Sequence, residues 1–573
     1  MIKTPGTEYV MKKRFSVAEM LIFLGAFILL SILPGTVCGL HFDEAWIFLR
    51  VKEISAGAHP VNGTNGYTGA LHQYLLLPVF GLFGYRVEAL RIFCAFLNSL
   101  CVLFVMLLVR RLHPGRNHHL LAGLLLATFP VFITQARFCV ELTAINPLFT
   151  FAALYFFARA LQSGRAAPAA VFALAGGACL GLAAYDHILG LTLAVAFACA
   201  AFAFYRRELI GKRRVVGCAV AGFLAGFAPR IAVTLRDSAA RTAGDQGHFG
   251  LFNFLVDVPH VPGIFCGIWD GWAVFRRMTG QNLIPVIPYV SVCLIVLVAI
   301  NVFWLKSRLS RLDRAMLFGA SLYVAAIVVV APALAIQYFE LPFLFLPYLL
   351  VRLIVPLAES SSADLIRVAR IVVALVLILN VLYLSVNYFA CFLETGGKTA
   401  VFGLGRRVID TSNHFIDTKK LYREIIACNI RVVATQLPIA APLCVYDLPQ
   451  RRLRFVVIAT QAPPSDSLDT GKRTALIFYN GPTPSLNPVW LRSTGVIDPP
   501  NTDTIVSGGV VYRIDKSFDR HFRVYIAGPG QDSAAMGHLA GYDRIRLLRQ
   551  AAELGLKPFS YNPNPGQTGN VYF

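Results

Sequence analysis

Four short polar groups interrupt the long apolar stretches of this chain: His41-Phe42-Asp43-Glu44, Arg137 with Glu141, Asp186-His187, and Gln337-Tyr338 with Glu340. In the first, two adjacent carboxylates stand just beyond an apolar run and before a helical stretch. One can act as a general base while the other orients it or balances charge. The same residues also fit a plainer role, with Asp43 as an N-cap and Glu44 favouring the helix dipole. Arg137 and Glu141 are four apart and can pair at a helix start. Asp186 and His187 can simply end a membrane span, and Tyr338 can belong to an interfacial aromatic belt.

What must position these groups is a membrane. The chain has 573 residues, 56% hydrophobic and 14% charged, which is too apolar for a water-soluble fold of this length. Apolar runs of roughly 18 to 25 residues, each able to cross a bilayer as a helix, predict about 11 spans: 17–37, 88–112, 119–134, 142–161, 167–185, 188–204, 215–235, 285–305, 315–333, 341–357 and 367–389. The first follows Lys12, Lys13 and Arg14 but is too long for a signal peptide, so it reads as a retained span.

The net charge of +21 sits largely in short loops, which argues against nucleic acid as a partner and for the positive-inside pattern. With the N-terminus in the cytoplasm, Arg110, Arg111 and Arg116, then Arg159 and Arg165, then the clusters at 205–214 and 306–314 all fall on that side. The four polar groups then fall together on the outer face. Ionisable groups at membrane depth are costly, so this gathering points to a shared cavity.

Two outer loops are long, 38–86 and 236–284. The first contains a short apolar stretch at 67–84, expected as a helix lying in the interface or only partly inserted. The second interleaves Phe249, Phe252, Phe254, Phe265, Trp269 and Trp272. Residues 1–391 thus form a membrane module. Beyond it, 392–573 alternates β-branched runs at 431–435, 453–460 and 475–479 with helical stretches at 417–429 and 542–556, as a soluble α/β domain would. An odd number of spans sends this tail outside. The twelve cysteines show no metal-ligand spacing; Cys94, Cys101, Cys199 and Cys218 lie in apolar runs, while Cys428 and Cys444 could pair in an oxidising compartment. Nothing in the sequence requires a cofactor or a metal ion, although a divalent metal remains compatible with it.

The acidic pair directly after the first span resembles the first-loop signature of GT-C fold glycosyltransferases that use polyprenyl-phosphate sugars, the group of the protein O-mannosyltransferases and lipid A aminoarabinose transferases. The order of later motifs is also similar: Tyr67-Thr68-Gly69-Ala70-Leu71-His72-Gln73-Tyr74-Leu75, then Phe83-Gly84 and Arg91, then Ala136-Arg137-Phe138-Cys139-Val140-Glu141. Gly181-Leu182-Ala183-Ala184-Tyr185-Asp186-His187 and Gln337-Tyr338-Phe339-Glu340-Leu341-Pro342 follow. The resemblance covers 15–390. Two positions depart from it, since His187 stands where relatives often have Lys and Gln337 where they often have Arg.

The resemblance implies a GT-C-like α-helical polytopic protein that moves a sugar from a polyprenyl-phosphate donor to a glycan, lipid or protein acceptor on the periplasmic face of an inner membrane, with inversion. It implies Asp43 as base with Glu44 beside it, and substrate contacts from His72, Arg137, Glu141, Asp186, His187, Gln337 and Tyr338. Arg137 would grip phosphate in a bidentate manner, and a protonated His187 would add a second cation. Two rival readings are a secondary transporter, which would show polar residues in broken helices near mid-membrane, and a catalytically silent scaffold.

Overall fold

The structure, a computed structural model, describes residues 16–36, 39–64, 67–112, 117–137, 139–236, 311–330, most of 345–354, 362–390, 400–401, 415–416, 418–435, 437–457, 474–479, 504–507, 510–514, 522–527 and 559–561. The loop expected at 236–284, beyond its first residue, the expected span at 285–305, the helix at 542–556, and Gln337, Tyr338 and Glu340 lie outside the described residues.

Ten helices follow one another up to residue 236: α1 (Val17–Ser31), α2 (Phe42–Ser55), α3 (Leu71–Phe83), α4 (Val87–Leu112), α5 (His118–Ala127), α6 (Pro130–Ala136), α7 (Glu141–Gln162), α8 (Ala166–Asp186), α9 (Ile188–Gly211) and α10 (Arg213–Arg236). Then come α11 (Arg311–Val330) and α12 (Ala363–Leu382), the latter continuing as a π-helical segment, Tyr383–Ala390. Six helices among the described residues are long and apolar enough to cross a membrane: Val87–Leu112, Glu141–Gln162, Ala166–Asp186, Ile188–Gly211, Arg213–Ala232 and Ala363–Ala390. They leave apolar side chains exposed, such as Val171 and Leu174 on α8 and Ile371, Leu375 and Ile378 on α12, as lipid-facing surfaces do. This is a helical, multi-pass membrane protein.

Two of the expected spans differ. The first is the 15-residue α1, opened by a capping box in which Ser16 and Glu19 satisfy each other's backbone N–H. The expected helix at 119–134 is broken into α5 and α6 at Thr128 and Phe129, because Pro130 occupies the first turn of a new helix and holds Phe129 extended.

Spans α8 and α10 pack through glycines. A Cβ at Gly177 would run into the Ala219 carbonyl, one at Gly181 into that of Phe223, and one at Gly222 into that of Leu174. Small residues four apart on both helices let the backbones approach, which is how helices associate where lipid removes the hydrophobic drive.

The segment between α1 and α4 is built structure. Its helices α2 and α3 stack Phe48 on Phe80 at 4.8 Å between ring centroids. The strand runs expected in the C-terminal part appear as β3 (Val432–Thr435), β4 (Arg454–Val457) and β5 (Thr474–Tyr479), after a small antiparallel pair, β1 (Ala400–Val401) and β2 (Phe415–Ile416). With β6 (Thr504–Ser507), β7 (Val510–Ile514), β8 (Phe522–Ala527) and β9 (Phe559–Tyr561) they form a sheet of order β6-β7-β8-β5-β3-β4-β9. Only β3 is parallel to both of its neighbours, and all four of its residues are buried, as a central parallel strand requires. Helices α13 (Thr418–Ala427) and α14 (Leu437–Asp447) accompany it. Cys428 and Cys444 are both free thiols, so the pairing considered from sequence does not occur.

Candidate functional site

The linker from α1 to α2 delivers the acidic pair. His41, not Asp43, is the N-cap of α2: its Nδ1 accepts from the Asp43 N–H at 3.2 Å, while Glu44 Oε2 accepts from the His41 N–H at 3.0 Å. Glu44 therefore serves the cap, whereas the N-cap role expected of Asp43 falls to His41, and Asp43 is left in the first turn with 30% of its side chain exposed.

Glu44 is fully buried and engaged on every side. Arg91, from the first turns of α4, donates Nε to Glu44 Oε1 at 3.0 Å and Nη2 to Oε2 at 2.7 Å; the Cys139 N–H donates to Oε1 at 3.3 Å. The same guanidinium reaches the carbonyls of Pro34 at 2.9 Å and Gly39 at 3.0 Å. One arginine thus ties the α1–α2 linker, α2 and α4 together.

Beside this pair, Glu141 at the start of α7 accepts from Thr64 Oγ1 at 3.0 Å and Gln73 Nε2 at 2.8 Å. Asp186, the last residue of α8, accepts from the His72 N–H at 3.3 Å and from Asn146 Nδ2 at 3.4 Å. His187 pairs with Thr68 in an antiparallel bridge, accepts at Nδ1 from the Leu189 N–H at 3.2 Å, and meets Tyr67 edge to face at 5.4 Å. From α10, Arg230 donates to Asn62 Oδ1 at 3.2 Å and to the Thr68 carbonyl at 3.1 Å. The stretch 60–70 is stitched in this way to the ends of α7, α8 and α10.

Asp43, Glu44, His72, Glu141, Asp186 and His187 therefore come together at one end of the bundle. Arg137, at the C-cap of α6, contacts α1 and the end of the π-helical segment. It does not pair with Glu141; its Nη1 reaches the Leu30 carbonyl at 2.9 Å and its Nη2 the Ile32 carbonyl at 2.6 Å, with the guanidinium 5.2 Å from the Phe389 ring centroid. Arg137 thus closes the C-terminal end of α1, where orphan carbonyls need donors.

Charges in the cluster are uneven. Burial, reinforced by the nearby charges of Glu141 and Glu44, pushes the Asp43 carboxyl up to about 7. Burial would raise Glu44 too, but the Arg91 guanidinium and the His41 N–H together hold it below its ordinary value. Burial lowers His41 and His72 to about 4, against the pull of nearby carboxylates. His187 falls to about 3, through burial first and then the charge of Arg230, which favours its neutral form. Neighbouring carboxylates of unlike proton affinity are the arrangement that acid–base chemistry needs.

Among the described residues, three deeply buried atoms in this cluster have no hydrogen-bond partner: His72 Nδ1, Gln73 Oε1 and Asn146 Oδ1. His72 Nε2 lies 3.5 Å from Cys94 Sγ. Among the described residues no three His, Cys, Asp or Glu side chains gather as a metal-binding group. Sequence reading passed over the roles of Thr64, Gln73, Asn146 and Arg230. For Arg91 the signal was present, an arginine within an apolar helix, which demands a buried partner.

Residues 68–232 match the dolichyl-phosphate-mannose-protein mannosyltransferase family. Among solved structures, the chain is similar to ArnT from Cupriavidus metallidurans in the apo state, with 14% identity over 89% of this chain and 97% of that one and a TM-score of 0.44. The same protein bound to undecaprenyl phosphate gives 15% identity, the same coverage and a TM-score of 0.42. The apo oligosaccharyltransferase of Archaeoglobus fulgidus gives 13% identity over 71% of this chain and 57% of that one, with a TM-score of 0.41. A search of curated proteins finds no match. Residues 68–232, which hold all of the site from His72 to Arg230, thus carry the sequence signature of the dolichyl-phosphate-mannose-protein mannosyltransferase family, as the order of the motifs implies.

Proposed function

We propose that this chain is a membrane glycosyltransferase that moves a sugar from a polyprenyl-phosphate carrier to an acceptor hydroxyl on the outer face of the membrane, with Asp43 as general base. The observation that carries this reading is the convergence of Asp43 with Glu141 and Asp186. Three acids from separate helix ends come together, two of them, Glu141 and Asp186, within the stretch 68–232 that matches a family named for a lipid-phosphate-linked sugar donor.

In this reading the Asp43 carboxylate takes the acceptor proton as the acceptor oxygen bonds to the anomeric carbon; the carbon–oxygen bond to phosphate breaks, and polyprenyl phosphate departs with that electron pair. Attack opposite the leaving group inverts the anomeric centre. A base with pKa near 7 is well matched to this task at neutral pH. Glu44 is a positioning residue, because Arg91, His41 and Cys139 occupy its oxygens. The unpartnered atoms of His72, Gln73 and Asn146 are placed to meet sugar hydroxyls, and His187 acts as a neutral group that fixes the loop at Thr68. Gln337 and Tyr338 keep the donor-side role that the motif order implies. The N-terminus lies in the cytoplasm and the C-terminal part on the face of the site, with the bacterial inner membrane as the setting.

The test is purified protein in lipid nanodiscs given polyprenyl-phosphate mannose and related lipid-linked sugars with a panel of glycan, lipid and peptide acceptors. Release of free polyprenyl phosphate with matching sugar transfer is expected. Intact donors across the whole panel, with a correctly folded protein, would argue against the reading.

A further inference from the structure

Helix α14 has the sequence Leu437-Pro438-Ile439-Ala440-Ala441-Pro442-Leu443-Cys444-Val445-Tyr446-Asp447. From Ile439 to Val445 every residue is buried, so the helix has no face for solvent. A helix apolar on all sides must be enclosed by other elements. On one side these are α13, β3 and β4; on the other it is α2, the helix that begins with Asp43 and Glu44.

Helix α2 is itself buried around most of its circumference, at Ala45, Ile47, Phe48, Leu49, Val51 and Ile54. Its Phe48 stacks on α3, and one continuous apolar cluster runs from Ala45, Ile47, Phe48, Leu49 and Val51 into Ile439, Leu443 and Cys444 of α14 and on to Val433 and Phe455 of the sheet. The C-terminal part therefore shares an apolar core with α2 and α3.

We propose that α14 is a positioning element for the site: its packing on α2 sets the placement of Asp43, so the sheet and the membrane module form one catalytic body. This rests on the transferase reading for its functional consequence, but its physical claim can be tested without any sugar. Interior packing transmits small displacements, because cores are close-packed and cannot absorb a missing side chain without movement or a void.

The experiment is hydrogen–deuterium exchange on the full chain in nanodiscs, comparing wild type with Ile439→Ala/Leu443→Ala, Leu443→Met and Leu476→Ala. Leu476 is fully buried in β5 but stands outside the shared cluster, its neighbours Ala475 and Ile477 being inside it. In the double variant the amides of 42–49 are expected to exchange about tenfold faster, through local opening of α2. Leu443→Met should restore protection, and Leu476→Ala should loosen the sheet alone. Unchanged exchange at 42–49 while 437–447 opens would overturn the proposal, as would an equal effect of Leu476→Ala. If the double variant does not fold, Leu443→Ala alone decides by the same criteria.

Where transfer is measurable, the double variant should lower kcat about tenfold with donor KM unchanged, as for a displaced catalytic group. Loosened α2 in a protein that transfers no sugar in any form would speak against the transferase reading and leave the role of α14 standing.

Discussion

Arg91 holds Glu44 by two hydrogen bonds, Nε to Oε1 at 3.0 Å and Nη2 to Oε2 at 2.7 Å, and both side chains are buried. The pair fixes α2 against α4 and leaves Asp43, one residue earlier, as the carboxylate with an open side. Removing one member strands the other's charge. Arg91→Met should therefore destabilise the protein by about 3–5 kcal/mol, whereas Arg91→Met/Glu44→Leu should recover part of that loss. Thermal unfolding in detergent, run as a double-mutant cycle, checks both.

The raised pKa of Asp43 has two consequences of definite sign. The folded state holds a proton on Asp43 up to about pH 7, which the unfolded chain releases at the ordinary carboxylate value. Stability from this group is thus present at low pH and declines as pH rises towards about 7. For activity, kcat/KM should climb with pH along a limb centred near 7 as the base ionises. Glu141→Gln removes one of the charges that raise Asp43, so the limb should move to lower pH; an unmoved limb would dissociate it from Asp43.

Arg137 closes the end of α1 through the carbonyls of Leu30 and Ile32. Arg137→Lys keeps the charge but loses the planar fork, and the two are not equivalent at such a site. The variant should lose about 1–3 kcal/mol of stability, the scale of a hydrogen bond made by a charged group. The stabilisation conferred by a polyprenyl-phosphate lipid should stay the same in both proteins. Loss of that lipid-induced shift would instead assign Arg137 to the phosphate.

The α8–α10 contact leaves no room for side chains at Gly181. Gly181→Val should destabilise by about 1–3 kcal/mol through overpacking and weaken the hold on Asp186 and His187, five and six residues on. Gly217, exposed on α10 with open space around it, gives the contrast: Gly217→Ala should be neutral or stabilising by about 0.5–1 kcal/mol. Unfolding midpoints of the two variants check the pair.

Much of the arrangement was legible in the sequence, because bilayer thickness and the cost of buried charge are one-dimensional constraints. Apolar length located the six long spans, and polar residues at span ends named Asp43, Glu141, Asp186 and His187 before any geometry. Pro130 was visible, but its consequence, two short helices in place of one span, depends on which turn it enters. The direction of Arg137 was not readable, since an arginine at a helix end can turn towards a carboxylate four residues on or towards another helix's carbonyls. The partners of Glu141 and Asp186 lie 40 to 114 residues away in sequence, beyond the reach of spacing rules. The shared core between α2 and α14 was equally hidden, because a change in composition after residue 389 looks the same whether the tail stands apart or packs down.

The most direct measurement is mass spectrometry of envelope glycans and lipid-linked sugars from cells carrying wild type, a deletion, or Asp43→Asn at matched expression. The account predicts that one sugar disappears from its acceptor in both the deletion and the variant, while the polyprenyl-phosphate donor accumulates. A sugar lost in the deletion but fully present with Asp43→Asn would contradict Asp43 as the base, and unchanged profiles in both would contradict the transferase reading.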